Sequence, residues 1–123
     1  MKSLTTQEQY EYFVDTLKNC GMFLLDCNDD DIGYYIFEEF VSNCVSFLSE
    51  QNLGGLLQNG FINSQIYSKS LTLREKFLKI YDSTLFKVAL VKTNEQWREV
   101  LRLSDKIKAL VAQFEDKRKA KVN

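Results

Sequence analysis

Two residue types are missing from this chain of 123 residues: it has no proline and no histidine. The absence of proline fits a chain built mostly of helix, with few turns set by a locked φ. The absence of histidine excludes Ser-His-Asp and Cys-His catalysis, imidazole acid–base chemistry and His-containing zinc or iron sites. Cysteine is scarce and odd in number: Cys20, Cys27 and Cys44 form no C-x-x-C pair and read as reduced thiols, most of them buried. No apolar run approaches the roughly 18 residues that span a bilayer. The start, Met1-Lys2-Ser3-Leu4-Thr5, leads into Gln and Glu rather than the apolar stretch of a signal peptide, so the expected location is cytoplasmic.

What is present is the composition of an ordinary globular protein, 45% apolar and 27% charged, with nine Phe to fill a core. At this length the expectation is one domain over residues 1–123 with one core. The charge is divided by position. Residues 1–60 hold ten Asp and Glu against Lys2 and Lys18, a net of −8. Residues 61–123 hold fourteen Lys and Arg against seven Asp and Glu, a net of +7. Such a division bears on partners and on the steering of their approach, and leaves fold untouched.

Apolar residues recur with helical spacing in four long segments. The first runs from about Thr6 to Leu25, with Thr5 and Glu8 spaced as a capping box. The second opens with an Asp cap near Asp30 and runs to about Glu50. Ile32, Ile36, Phe40, Cys44 and Phe47 form one row and Phe37, Val41, Val45 and Leu48 the next, which suggests a central helix. Gln51 to Asn63 is broken by Gly54, Gly55 and Gly60 and has room for one helical turn at Leu56-Leu57. The third helix starts near Asn63 or Ser64 and reaches about Ser83. Leu85 to Val91 has no partner strand and reads as a buried connector or a further helix. Thr93 and Gln96 repeat the capping-box spacing ahead of a last helix that carries Trp97, and Asp116 to Asn123 reads as a frayed basic tail. The fold class is therefore all-α: a helical bundle of four long helices plus one or two short ones.

No constellation of residues calls for catalysis, a cofactor or a metal. Asp26, Asn28 and Asp30 match positions one, three and five of a calcium loop, but Asp31 stands where that loop needs Gly and Phe37 where it needs a bidentate Glu. Gly54-Gly55 lacks the Lys-Ser/Thr of a phosphate loop. The basic residues of the third and last helices are interleaved with Glu75, Glu95, Glu99 and Asp105. They read as solvated helix faces with i,i+3 pairs such as Glu95–Arg98 and Glu99–Arg102, which makes nucleic acid a poor fit as partner.

The acidic stretch Asp26–Glu39 has two readings. Three Asp at a helix start complement the positive end of the helix dipole. That does not account for Glu8, Glu11, Asp15, Glu38 and Glu39 with so few cations nearby, and a negative face of this kind attracts a basic partner. Tyr34 and Tyr35 beside the carboxylates add aromatic anchors of the kind that dominate interfaces. The candidate partner-binding residues are Asp29, Asp30, Asp31, Tyr34, Tyr35, Glu38 and Glu39.

The acidic first half, the Gly60-Phe61-Ile62 turn before a helix and Thr93-x-x-x-Trp97 at the last helix give the chain a pattern that resembles small α-helical bacterial immunity proteins. That resemblance implies a non-catalytic protein that neutralises a cognate toxin, often a basic nuclease, by covering its surface. The alternatives are a self-associating module, in which the acidic half of one copy meets the basic half of another in a homodimer, and a nucleic-acid binder that uses the basic second half.

Overall fold

The computed structural model describes residues 3–122, with side chains for residues 3–120. Met1 and Lys2, Asn123 and the Lys121 side chain of the basic tail lie outside the described residues. All regular elements among the described residues are helical, as the all-α reading requires.

Helix α1 spans Thr6–Lys18 and opens with the expected capping box: Thr5 Oγ1 accepts from Glu8 N at 3.1 Å and Glu8 Oε1 accepts from Thr5 N at 2.9 Å. It buries Tyr10, Phe13 and Leu17. The helix stops seven residues short of the expected Leu25. Gly21 is extended at the point where the last helix crosses, and only a tight 3-10 turn, Met22–Asp26, follows. A Cβ at Gly21 would lie 2.6 Å from Lys108 Nζ and against the Asp105 carboxylate, so any larger residue here pushes those two side chains aside.

The second segment is one helical run in three parts: α2, Asp29–Ile32; a π-helical stretch, Gly33–Phe40; and α3, Val41–Phe47. Asn28, not Asp30, is the cap, its Oδ1 accepting from Asp31 N at 2.8 Å. The π stretch explains the core row. Ile32, Ile36, Phe40, Cys44 and Leu48 are all fully buried, at a strict spacing of four. In a pure α-helix four such steps would drift by roughly 160° around the axis. Eight residues of i→i+5 turns, at roughly 4.4 residues per turn, return roughly 140° of it. Leu48 rather than Phe47 therefore completes the row, and Val45, expected in the core, is 56% exposed.

Ser49 ends this run and caps α4, Glu50–Gln58, by accepting from Asn52 N at 3.1 Å. The glycine-rich stretch is thus a helix of nine residues and not one turn, since burial of Leu53 and Leu56 outweighs the helix cost of Gly54 and Gly55. It closes in a Schellman turn: Phe61 N donates to Leu56 O at 2.9 Å, Gly60 N to Leu57 O at 3.2 Å, and Gly60 takes φ of 80°. Helix α5, Ser64–Tyr81, is capped by Asn63 as expected and buries Ile66, Ser70, Leu73, Phe77 and Ile80.

Leu85 to Val91 is a turn followed by the short helix α6, Val88–Val91. The turn is held by Trp97 Nε1, which donates to Leu85 O at 2.7 Å. Helix α7, Glu95–Val122, is capped by Asn94, whose Oδ1 accepts from Gln96 N at 2.9 Å and Trp97 N at 3.2 Å; the expected Thr93 box is displaced by one residue. The segment expected to fray continues α7 to Val122, and the Arg118 guanidinium lies 4.7 Å over the Phe61 ring. Helices α5 and α7 make the most extensive contact between two helices, and the second segment adds its fully buried row to the same core. Phe40 packs edge-on against Phe77 at 4.8 Å, and Phe77 against the buried Trp97 at 6.0 Å.

Candidate functional site

The four-residue register that lines the core also sorts the candidate partner-binding residues into rows. Asp30, Tyr34 and Glu38 form one row, and all three are exposed. Asp31, Tyr35 and Glu39 form the next, of which Tyr35 and Glu39 are half-buried. Three aspartates fill the first turn of α2, where the helix dipole favours negative charge. Tyr34 keeps half of its surface in solvent while its ring packs on Tyr35 at 5.4 Å, and Tyr35 in turn meets the edge of Phe23 at 5.2 Å.

The first row borders an open groove of about 490 Å³ lined by Asp29, Asp30, Gly33, Tyr34, Glu38 and Val88. Four of the seven candidates thus share one surface, while Asp31, Tyr35 and Glu39 lie outside it. Val88 and Gly33 escaped the sequence reading. Val88 arrives by the packing of α6 on α2, a contact with no local signal. Gly33 sits where a Cβ would meet nothing within 4 Å, so it leaves the groove beside Tyr34 unfilled.

Among the described residues none of the carboxylates of Asp29, Asp30, Asp31, Glu38 or Glu39 forms an ion pair. The basic half is treated differently. Lys76 reaches across from α5 to Glu99 on α7 at 3.5 Å, and Arg102 pairs with Glu95 at 3.5 Å. These replace the expected Glu95–Arg98 and Glu99–Arg102 pairs. Arg98 instead donates to Lys92 O at 3.1 Å and closes the end of α6. The positive charge is therefore partly met within the bundle while the acidic row is left unmet, and its field extends over about 8 to 10 Å at ordinary ionic strength.

Of the calcium-like trio, Asn28 spends its side-chain oxygen on the helix cap. Among the described residues no three Cys, Asp or Glu side chains are close enough to hold a metal ion. No helix of the described residues is long and apolar enough to cross a membrane. The thiols of Cys20 and Cys44 are buried, and burial pushes both up to about 12, so neither is a ready nucleophile. No protein family, curated protein or solved structure matches this chain.

Proposed function

We propose that this chain is a non-catalytic binding protein that neutralises or sequesters a basic protein partner in the cytoplasm, an immunity protein against a bacterial toxin being its specific form. The observation that carries the reading is the row Asp30–Tyr34–Glu38, exposed along a groove and unpaired by any described cation. A basic surface approaching this row gains Coulomb attraction before contact, which speeds encounter. Once docked, Tyr34 supplies a ring with an exposed face on which an arginine or an apolar side chain can rest.

The test is in two steps. Protein purified from its native host at low salt is washed with rising salt, and the stoichiometric partner is identified by mass spectrometry. Association kinetics are then compared for the native chain and the Asp30→Lys/Glu38→Lys variant. The expected partner is basic, and charge reversal slows association by about tenfold or more with dissociation less affected. An acidic partner, or equal association rates for the two chains, refutes the reading.

A further inference from the structure

Asn59 is the only asparagine of the chain that is followed by glycine. That pair of residues carries a reaction of its own. The main-chain nitrogen of Gly60 gives up its proton to solvent and attacks Cγ of the Asn59 carboxamide. The bond from Cγ to Nδ2 breaks, and the carboxamide nitrogen takes up a proton and leaves as ammonia. One water then opens the five-membered imide at either carbonyl, to aspartate or to isoaspartate, so water is the only co-reactant. A side chain on the second residue crowds the attacking nitrogen, and glycine has none. Here the surroundings are open as well. Asn59 and Gly60 are both exposed, and beyond the adjoining residues no heavy atom lies within 4 Å of the place a Cβ of Gly60 would take.

The folded turn holds the reacting groups apart. Ring closure needs Asn59 Cβ and Gly60 N on the same side of the Cα–C bond. At ψ of 7° the tetrahedral Cα sets them roughly 130° apart about that bond. Both groups are also engaged: Asn59 Nδ2 donates to Gly55 O at 2.8 Å, and Gly60 N donates to Leu57 O at 3.2 Å. The reaction therefore waits on opening of the turn that closes α4, and its rate follows the population of the open turn.

That population is governed from the far end of the sequence. Phe61 N donates to Leu56 O at 2.9 Å and so completes the turn. The Phe61 ring lies 5.4 Å from that of Tyr10 and carries the Arg118 guanidinium at 4.7 Å, while the Tyr10 hydroxyl donates to Glu115. Positions 115 and 118 share one face of α7, so the end of that helix grips the ring next to the reactive peptide bond. Beyond Val111 no described side chain of α7 is fully buried. The grip is thus made of partly exposed contacts, the kind that open locally before the core does.

We propose that Asn59–Gly60 is a site of spontaneous deamidation whose rate is set by the docking of α7 on Phe61. The product does not suit the turn in which it forms. Either acid lacks the Nδ2 donor to Gly55 O and puts a carboxylate at the negative end of α4. Isoaspartate also lengthens the main chain by one carbon inside the turn. Modification therefore loosens the α4–α5 corner on which the end of α7 is docked.

The test incubates the full chain in mildly alkaline buffer, folded and in urea, and follows aspartyl and isoaspartyl products at position 59 by peptide mapping. The unfolded chain should react at least about tenfold faster than the folded one. Arg118→Ala removes the cation from the Phe61 ring and should speed the reaction of the folded chain about two- to fivefold. Lys117→Ala, which removes the adjacent charge, should leave the rate unchanged, and so should Gly21→Ala, which weakens the bundle elsewhere. Equal rates for the folded and unfolded chains overturn the inference, as does an unfolded chain that keeps Asn59 intact. So does an Arg118→Ala chain that reacts no faster than the native one, or an equal acceleration by Gly21→Ala, which would place the opening in the whole chain and not in this turn.

Discussion

The hydroxyl of Ser104, fully buried on α7, donates to the carbonyl of Cys20 at 2.7 Å, joining positions 84 apart in the chain. Lys108 Nζ donates to the same carbonyl at 2.8 Å, and the Asp105 carboxylate accepts from Met22 N at 3.0 Å. Positions 104, 105 and 108 share one face of α7, and together they satisfy the backbone groups left open where α1 breaks off. Removing the hydroxyl in Ser104→Ala leaves buried carbonyl capacity unmet and should cost about 1 to 3 kcal/mol in urea unfolding. A variant as stable as the native chain would mean that Lys108 alone suffices for that carbonyl.

The glycines offer a paired test of opposite sign. Gly21→Ala forces Asp105 and Lys108 aside and should destabilise by about 1 to 2 kcal/mol through their lost hydrogen bonds. Gly54→Ala adds a methyl group in open space inside a helix and should stabilise by about 0.5 to 1 kcal/mol. Denaturation midpoints of the two variants against the native chain, at equal m-value, read both signs in one experiment.

Much of this bundle was legible before any coordinates. Helical spacing located α1, α5 and α7, and the short polar residues Thr5 and Asn63 marked two helix starts at their true positions. The departures have two causes: a neighbouring residue that caps in place of the expected one, and burial that overrides local propensity. Asp30 and Thr93 looked like caps, but Asn28 and Asn94 have their carboxamides placed to reach the free N–H groups. The glycine pair in α4 looked like a break because burial of Leu53 and Leu56 cannot be seen in a window of a few residues. The π stretch did leave a trace, since an apolar residue at every fourth position from Ile32 to Leu48 cannot stay on one side of a pure α-helix. Of the candidate site, the acidic and aromatic residues were visible as composition. The groove was not, because Val88 comes to it from a distant turn.

Thiol chemistry separates the three cysteines. Cys27 is partly exposed, whereas Cys20 and Cys44 are fully buried. Under native conditions a neutral aromatic disulfide reagent should modify one thiol per chain rapidly, at Cys27, and the other two at the rate of unfolding. Peptide mapping of the modified protein identifies the site, and fast labelling at Cys20 or Cys44 would contradict the packing described.

Stability should decline on the alkaline side, and the sign follows from which state holds the protons. Burial pushes the Cys20 and Cys44 thiols up to about 12 from an ordinary value of 9.0. Burial, together with the Glu115 carboxylate to which it donates, likewise raises the Tyr10 phenol above its ordinary 10.0. Above pH 9 the unfolded chain therefore releases thiol protons that the folded chain retains, so unfolding is favoured increasingly as pH rises. The contribution of each thiol is fully present below pH 9 and is lost towards pH 12, at up to about 1.4 kcal/mol per pH unit. The informative comparison is with Cys44→Ala under reducing conditions. The cavity in that variant lowers stability by an amount that does not depend on pH, while the missing thiol makes its decline between pH 9 and 12 shallower. The two stability curves should thus converge as pH rises; parallel curves would mean that the Cys44 thiol ionises as readily in the folded chain as in the unfolded one.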